Sequence, residues 1–273
     1  MVICIAENRA SGAGAIRLLL ISIKQYCPTA RVVLYFPPAD EEFTRWADSL
    51  GIVDLRTGPI PGRGHWNIKP YILCILLSEG HDEVWWLDSD VIVTGDFISR
   101  YAEISSETLI GSEEALWGAR ANNGQRTIAW GFTLGRTLPF SLNSGVLRVS
   151  ASHLAILEQW KQLLESDTYQ KAQKLSWTVR PLHLQSDQDL LTALIESRQF
   201  QEIPVFMLRR GPDILQYFGY AGYTTSERIR HLFRGMPSFI HTQGWKAWEA
   251  PVEELTSRDL RSIFKELYFD LSP

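Results

Sequence analysis

The seven residues Val84-Trp85-Trp86-Leu87-Asp88-Ser89-Asp90 constrain the fold of this 273-residue chain more than any other stretch. Four bulky apolar side chains in a row cannot all face water. The run therefore reads as a buried strand, Glu83–Leu87, that delivers two carboxylates at its C-terminal end. Residues two apart in an extended chain point the same way, so Asp88 and Asp90 can aim at one cation. Ligands of open α/β sheets gather beyond the carboxyl ends of the strands. Two carboxylates with positions left open for phosphate oxygens suit a hard divalent ion, Mg²⁺ or Mn²⁺. The competing reading is a polar strand end with Asp90 capping whatever follows.

The chain leading to this strand alternates strand and helix. Val2–Ala6 is a short apolar run, residues 15–26 have a helical pattern stopped by Cys27-Pro28, and residues 31–36 form a second strand. Residues 40–50 are an amphipathic helix with Asp40 as N-cap and Gly51 past its end. A third strand follows at 52–55, a Gly/Pro-rich loop at 57–67 and a helix at 68–78. This spacing predicts an α/β fold with a mixed, mostly parallel sheet and helices on both faces. Further on, residues 111–138 read as a long functional loop or small subdomain. Strands are expected at 142–149, 203–208 and 238–241, with helices at 151–165, Asp187–Glu196 and from Pro251 onward. With no repeat or linker, one domain over 1–273 is expected. Its parts are residues 1–100, residues 101–248 and a C-terminal helix at 249–273.

Composition removes several classes of function. Twenty-seven Lys and Arg against 31 Asp and Glu leave a net charge of −4, so bulk electrostatic capture of nucleic acid is disfavoured. Three cysteines, Cys4, Cys27 and Cys74, have no metal-ligand spacing and read as thiols in a reducing compartment. No stretch reaches the roughly 18 consecutive apolar residues of a membrane span, and the start lacks the basic region of a signal peptide. The expectation is a cytoplasmic protein, or one peripheral to a membrane, without a transmembrane segment. Ten tryptophans supply core and also flat surfaces on which sugars or bases stack.

Three later motifs complete the pattern: Leu142-Asn143-Ser144-Gly145-Val146, Ser186-Asp187-Gln188-Asp189 and His241-Thr242-Gln243-Gly244-Trp245-Lys246-Ala247-Trp248. In this order after the Asp-Ser-Asp strand, they resemble the nucleotide-sugar glycosyltransferases of the GT-A (Rossmann-like) fold, and family 8 in particular. The likeness covers about residues 1–248. Two departures stand out. Gly244 and Lys246 are one residue closer than the family pattern, with Ala247 where it has proline. The first strand ends in Glu7-Asn8, where the family has an aspartate and an asparagine one residue apart.

The resemblance implies a metal-dependent transfer of a hexose from a nucleotide diphosphate, UDP foremost, to an acceptor hydroxyl on a glycan, lipid-linked or protein acceptor, with retention at the anomeric carbon. It implies that Asp88, Asp90 and His241 hold the metal. The imidazole tilts the choice toward Mn²⁺ over Mg²⁺. It places Glu7 and Asn8 at the base, Lys69, Ser89, Gly244 and Lys246 with the donor, and Asp187, Gln188 and Asn143 beside the sugar. There an anionic or dipolar oxygen helps most as positive charge develops. Bland readings stay open: His241 as a buried strand-end histidine, Lys69 and Lys246 as solvated lysines, and Asp187 as an N-cap in competition with Ser186. Trp66, Trp117, Trp130, Trp245 and Trp248, with the Arg63-Gly64-His65 loop, are stacking candidates, whereas Trp85, Trp86 and Trp160 read as core. Two other functions fit less of the chain: a haloacid-dehalogenase-like phosphohydrolase using Asp88 and Asp90, and a nucleotide-sugar-binding module without turnover. A Gly-rich turn at Ser11–Leu18 is only faintly similar to that of sugar-nucleotide pyrophosphorylases.

Overall fold

The structure, a computed structural model, describes residues 1–62, 64, 67–114, 123–218, 229–230, 233 and 235–243. Among the described residues, one sheet has seven strands: β1 (Val2–Ala6), β2 (Val32–Tyr35), β3 (Val53–Arg56), β4 (Glu83–Leu87), β6 (Leu109–Glu113), β7 (Leu142–Ser150) and β8 (Val205–Leu208). Their order is β3-β2-β1-β4-β7-β6-β8. A three-stranded sheet has the order β5-β10-β9, with β5 at Val91–Val93, β9 at Ile214–Phe218 and β10 at Phe239–Gln243. In the larger sheet β1–β4, β2–β3 and β6–β8 run parallel, and β6–β7 is antiparallel. The helices are α1 (Ala13–Tyr26), α2 (Glu41–Ser49), α3 (Lys69–Ser78), α4 (Phe97–Arg100), α5 (Gln125–Ala129), α6 (Leu154–Glu165), α7 (Asp167–Gln173) and α8 (Asp187–Glu196). The mixed, mostly parallel α/β architecture expected from the alternation is the one found.

The chain divides into two compact units. The first comprises Met1–Cys4, Pro59–Trp86 and Ile104–Leu208, and the second Ile5–Gly58, Leu87–Glu103 and Arg209–Pro273. In the first unit Val2, Ile3 and Cys4 pair with Val84, Trp85 and Trp86, and all six side chains are buried. A tryptophan buries about 150–250 Å². At about 25 cal/mol per Å² each of Trp85 and Trp86 contributes about 4–6 kcal/mol of transfer free energy. Trp160 is fully buried as well. Pro70 sits in the first turn of α3, where its missing N–H costs nothing.

In the second unit Asp40 caps α2 by accepting the Phe43 N–H at 2.8 Å, and Glu41 and Glu42 complement the helix dipole behind it. Ser22, buried inside α1, accepts the Val93 N–H of β5 at 3.0 Å. Cys4 and Cys27 are buried and Cys74 half-buried, and none of the three is in a disulfide. Burial pushes Cys27 up to about 11 and Cys74 up to about 12, so neither is a nucleophile at neutral pH.

Several elements depart from expectation. Residues 111–138 are not a continuous loop: Gly111–Glu113 belong to β6, all of whose residues are buried, and α5 lies beyond. The strand was hidden because its second half, Gly111-Ser112-Glu113, is polar. Short elements β5, β9, α4 and α7 also lacked a periodic signal. Residues 151–165 begin with a 3-10 turn at Ala151–His153 before α6. The helix expected from Pro251 lies outside the described residues.

Candidate functional site

Strand order reverses between β1 and β4, because β2 and β3 continue on one side of β1 while β4 lies on the other. The crevice beyond such a reversal is where open α/β sheets bind ligands, and Glu7 to Arg9 and Asp88 to Asp90 end these two strands. Asp88, Asp90 and His241 offer ligand atoms that all lie within 4.8 Å of one another. His241 comes from β10, which pairs antiparallel with β5 and sets His241 opposite Val91. Its Nε2 is 3.2 Å from Asp90 Oδ1. Two donors about 2.2 Å from one ion and at right angles to each other are about 3.1 Å apart, so the spacing fits a shared cation. Two carboxylates and an imidazole, half-buried or buried, are a donor set suited to Mn²⁺ or Mg²⁺. The other ring nitrogen, Nδ1, lies 3.0 Å from the Gln243 side-chain amide, which holds the ring in place.

The Asp-Ser-Asp turn is pinned at each residue. Asp88 O accepts the Val91 N–H at 3.0 Å, and Asp90 O accepts both the N–H and the hydroxyl of Thr242 at 2.9 Å. The buried Ser89 hydroxyl donates to Glu7 Oε2 at 2.7 Å. Glu7 is itself buried, and its carboxylate accepts four further bonds: the N–H groups of Asn8 (3.0 Å) and Arg9 (2.9 Å), Arg9 Nε (2.8 Å) and Arg9 Nη2 (2.7 Å). Burial works to raise the Glu7 carboxyl, and the hydrogen bonds from Arg9 and Ser89 outweigh it, holding the group below the ordinary glutamate value. Arg9 is raised first by its bond to Glu7, with attraction from Asp90 and Asp88 adding to the effect. Asn8 is exposed. Gly244 and Lys246, and with them Trp245 and Trp248, lie outside the described residues, as do Arg63, His65, Trp66 and Trp117.

A second cluster belongs to the unit containing α3, β7 and α8. Lys69, 3% exposed, donates to Ser144 Oγ at 2.7 Å and to Ser144 O at 3.2 Å, and its Nζ stands 3.6 Å from Asp187 Oδ2. Ser144 Oγ donates in turn to Asp187 Oδ2 at 3.0 Å. The Lys69 ammonium also lies over the Trp86 ring, 5.9 Å from its centre. Lys69 is thus not a solvated lysine. At the start of α8 the N-cap is Ser186, whose N–H and hydroxyl donate to Asp189 at 3.0 and 2.7 Å. That capping box, with the Arg126–Asp189 pair at 2.8 Å, occupies Asp189 and leaves Asp187 outside the cap.

Gln188 and Asn143 meet at a residue that the sequence pattern did not single out. Glu114, 1% exposed, accepts at Oε2 from both Gln188 Nε2 and Asn143 Nδ2, the latter at 3.2 Å. Asn143 Oδ1 accepts the Gly145 N–H at 2.9 Å. Glu114 follows β6 directly, so recognising that strand was the signal that would have found it. Trp130 is half-buried and donates its indole N–H to His183 O at 3.0 Å.

No protein-family model matches the chain, and a comparison with curated protein sequences found no match. Solved structures are similar in fold. The galactosyltransferase LgtC, in complex with donor and acceptor sugar analogues, superimposes with a TM-score of 0.59 at 19% identity, over 100% of this chain and 97% of LgtC. The glycosyltransferase GlyE of Streptococcus pneumoniae TIGR4 gives 0.61 at 18% identity, over 97% of this chain and 59% of GlyE. The apo bifunctional glycosyltransferase WbbM gives 0.54 at 15%, over 97% of this chain and 51% of WbbM. The chain thus spans about half of WbbM. These likenesses establish the GT-A fold expected from the motifs. Among the described residues, no helix is long and apolar enough to cross a membrane.

Proposed function

We propose that this chain is a divalent-metal-dependent glycosyltransferase that moves a hexose from a nucleotide diphosphate, UDP foremost, to an acceptor hydroxyl with retention of configuration. The observation that carries the reading is the Asp88–Asp90–His241 group, with ligand atoms within 4.8 Å, at the strand-order reversal of a GT-A sheet. These three residues would hold Mn²⁺ or Mg²⁺. A divalent ion bound there supplies Lewis-acid stabilisation of the charge on a departing diphosphate.

The remaining chemistry falls to side chains. Asp187 Oδ2 accepts from Ser144 and faces Lys69. That environment favours an electrostatic role toward an oxocarbenium-like centre over covalent attack. Gln188 donates its side-chain N–H to Glu114 and accepts the Ser144 N–H at Oε1 at 3.4 Å. This fixes the amide and leaves the second lone pair of that oxygen for hydroxyls or for positive charge. Asn143 donates to the same Glu114 oxygen, and its Oδ1 accepts the Gly145 N–H at 2.9 Å. LgtC, similar in fold over nearly all of both chains, is a galactosyltransferase seen with donor and acceptor sugar analogues, which supports a nucleotide-sugar donor here. Asn8, Gly244 and Lys246 complete the proposed donor contacts.

The test is a thermal-shift screen of UDP-hexoses with and without Mn²⁺, followed by transfer assays on Asp88→Ala and Asp90→Ala. Ligand at 100 times its Kd raises stability by about 2.7 kcal/mol. The wild type should show a Mn²⁺-dependent shift that both variants lose. Unchanged Mn²⁺-dependent turnover in both would remove the central claim. A phosphohydrolase would instead turn over a generic phosphate ester and ignore nucleotide sugars. A binding module would take UDP-hexose without releasing UDP.

A further inference from the structure

We propose that Glu7 is a positioning residue for the metal ligands rather than a reader of the nucleotide base; the inference rests on the metal-dependent reading above. The resemblance to family 8 placed this carboxylate at the base, and its geometry points elsewhere. The register of β1 against β4 runs Val2 to Val84, Ile3 to Trp85 and Cys4 to Trp86. Three further places bring Glu7 level with Ser89, and the 2.7 Å bond between Ser89 Oγ and Glu7 Oε2 closes that contact. Oε1 takes three N–H donors and Oε2 takes two donors, so five bonds turn the carboxylate inward.

An independent feature agrees. A Cβ on Gly12 would stand 2.4 Å from Glu7 Cγ and 2.8 Å from Cδ, closer than real atoms approach. The backbone here is bare where Glu7 folds back.

The consequence reaches Asp88 and Asp90 by two routes. Ser89 is the residue between them, and its hydroxyl is fixed by Glu7, so the bond limits how the turn can splay the two carboxylates. Arg9 is the second route. Its side chain is 61% exposed, attracted by both aspartates, and held by two bonds to Glu7. Without Glu7, that guanidinium becomes a monovalent competitor for the carboxylates a divalent ion needs.

The experiment is a Mn²⁺ titration read by the room-temperature EPR signal of free Mn²⁺, with no nucleotide present, on wild type, Glu7→Gln, Ser89→Ala and the double variant. Residues that orient metal ligands change affinity by about 10–100-fold when replaced. Each single variant should therefore weaken Mn²⁺ binding by about tenfold or more. The double variant should be no weaker than the weaker single, because both changes break one bond. In EDTA, calorimetry should find the ratio of UDP to GDP affinities unchanged by Glu7→Gln. Mn²⁺ binding at wild-type strength in both single variants overturns the proposal, whether the melting temperature falls or the UDP to GDP ratio shifts. Multiplying effects in the double variant overturn it too. A wild type that binds no Mn²⁺ even when UDP is added refutes the metal reading itself, and this proposal with it. Should Glu7→Gln fail to fold by circular dichroism, Ser89→Ala carries the test alone.

Discussion

Replacing Lys69 by methionine separates two accounts of that residue with opposite consequences for stability. A lysine that only meets a donor can be removed without destabilising the fold. A lysine 3% exposed, bonded to Ser144 and 3.6 Å from the Asp187 carboxylate, cannot. Removing one partner of a buried ion pair costs about 3–5 kcal/mol, because the other charge stays behind in a medium that solvates it poorly. The separation is long for a direct bridge and Ser144 keeps its bond to Asp187, which puts the loss at the lower end, about 3 kcal/mol. At about 2–4 °C per kcal/mol for a chain of this size, the melting temperature should fall by about 6–12 °C.

The decisive comparison is the double variant Lys69→Met, Asp187→Asn. It removes the stranded charge and should be more stable than Lys69→Met alone, since losing both partners costs less than losing one. Urea unfolding of the wild type, the two single variants and the double variant measures this. Additive losses in the double variant, or an unchanged Lys69→Met, would refute the reasoning.

Two further outcomes follow from buried groups. Burial holds His153 below its ordinary value of 6.5, while its ring accepts the Ser150 N–H at 2.9 Å and its Nε2 reaches Glu107 O at 3.0 Å. The unfolded chain then binds the extra proton more readily, so this contribution is present above about pH 6.5 and is lost as pH falls through it. The urea midpoint should drop between pH 7.5 and 5.5, and less steeply in His153→Gln; identical slopes would count against this account. At Gly111, beside the bulge in β6, an added Cβ would sit 2.4 Å from Leu142 Cδ1. Gly111→Ala should cost about 1–3 kcal/mol, and the same change made in a Leu142→Ala background should cost less, as read by the same denaturation assay.

What could be read from sequence followed the transfer of apolar surface. Val2–Ala6 and Asp187–Glu196 have the bounds expected of them, and the Trp85-Trp86 strand ends in the carboxylates as its run of bulky residues required. Hydrophobic patterns are blind to polar groups that satisfy one another inside the fold. Glu114 is such a case: the strand before it reads as a polar loop, and its burial makes sense only because Gln188 and Asn143 donate to it. Glu7 shows the same limit from the other side. Its position was evident at the end of β1, but the direction of its carboxylate depends on Arg9, Ser89 and the space left at Gly12. The choice between Ser186 and Asp187 as N-cap likewise turned on Asp189, which pairs with Arg126 from α5.

The Thr242 hydroxyl reaches Asp90 O across 152 positions of sequence. On the ribosome the two aspartates therefore emerge long before the imidazole that joins them, and a nascent chain that stops short of β10 presents carboxylates alone. Domains fold as they are synthesised, and long-range strand pairing comes late because its loop must close first. Under the proposed metal-dependent reading, capture of a metal at this centre is tied to the arrival of β10, so that tight Mn²⁺ binding by a translating chain would report that synthesis has passed residue 242.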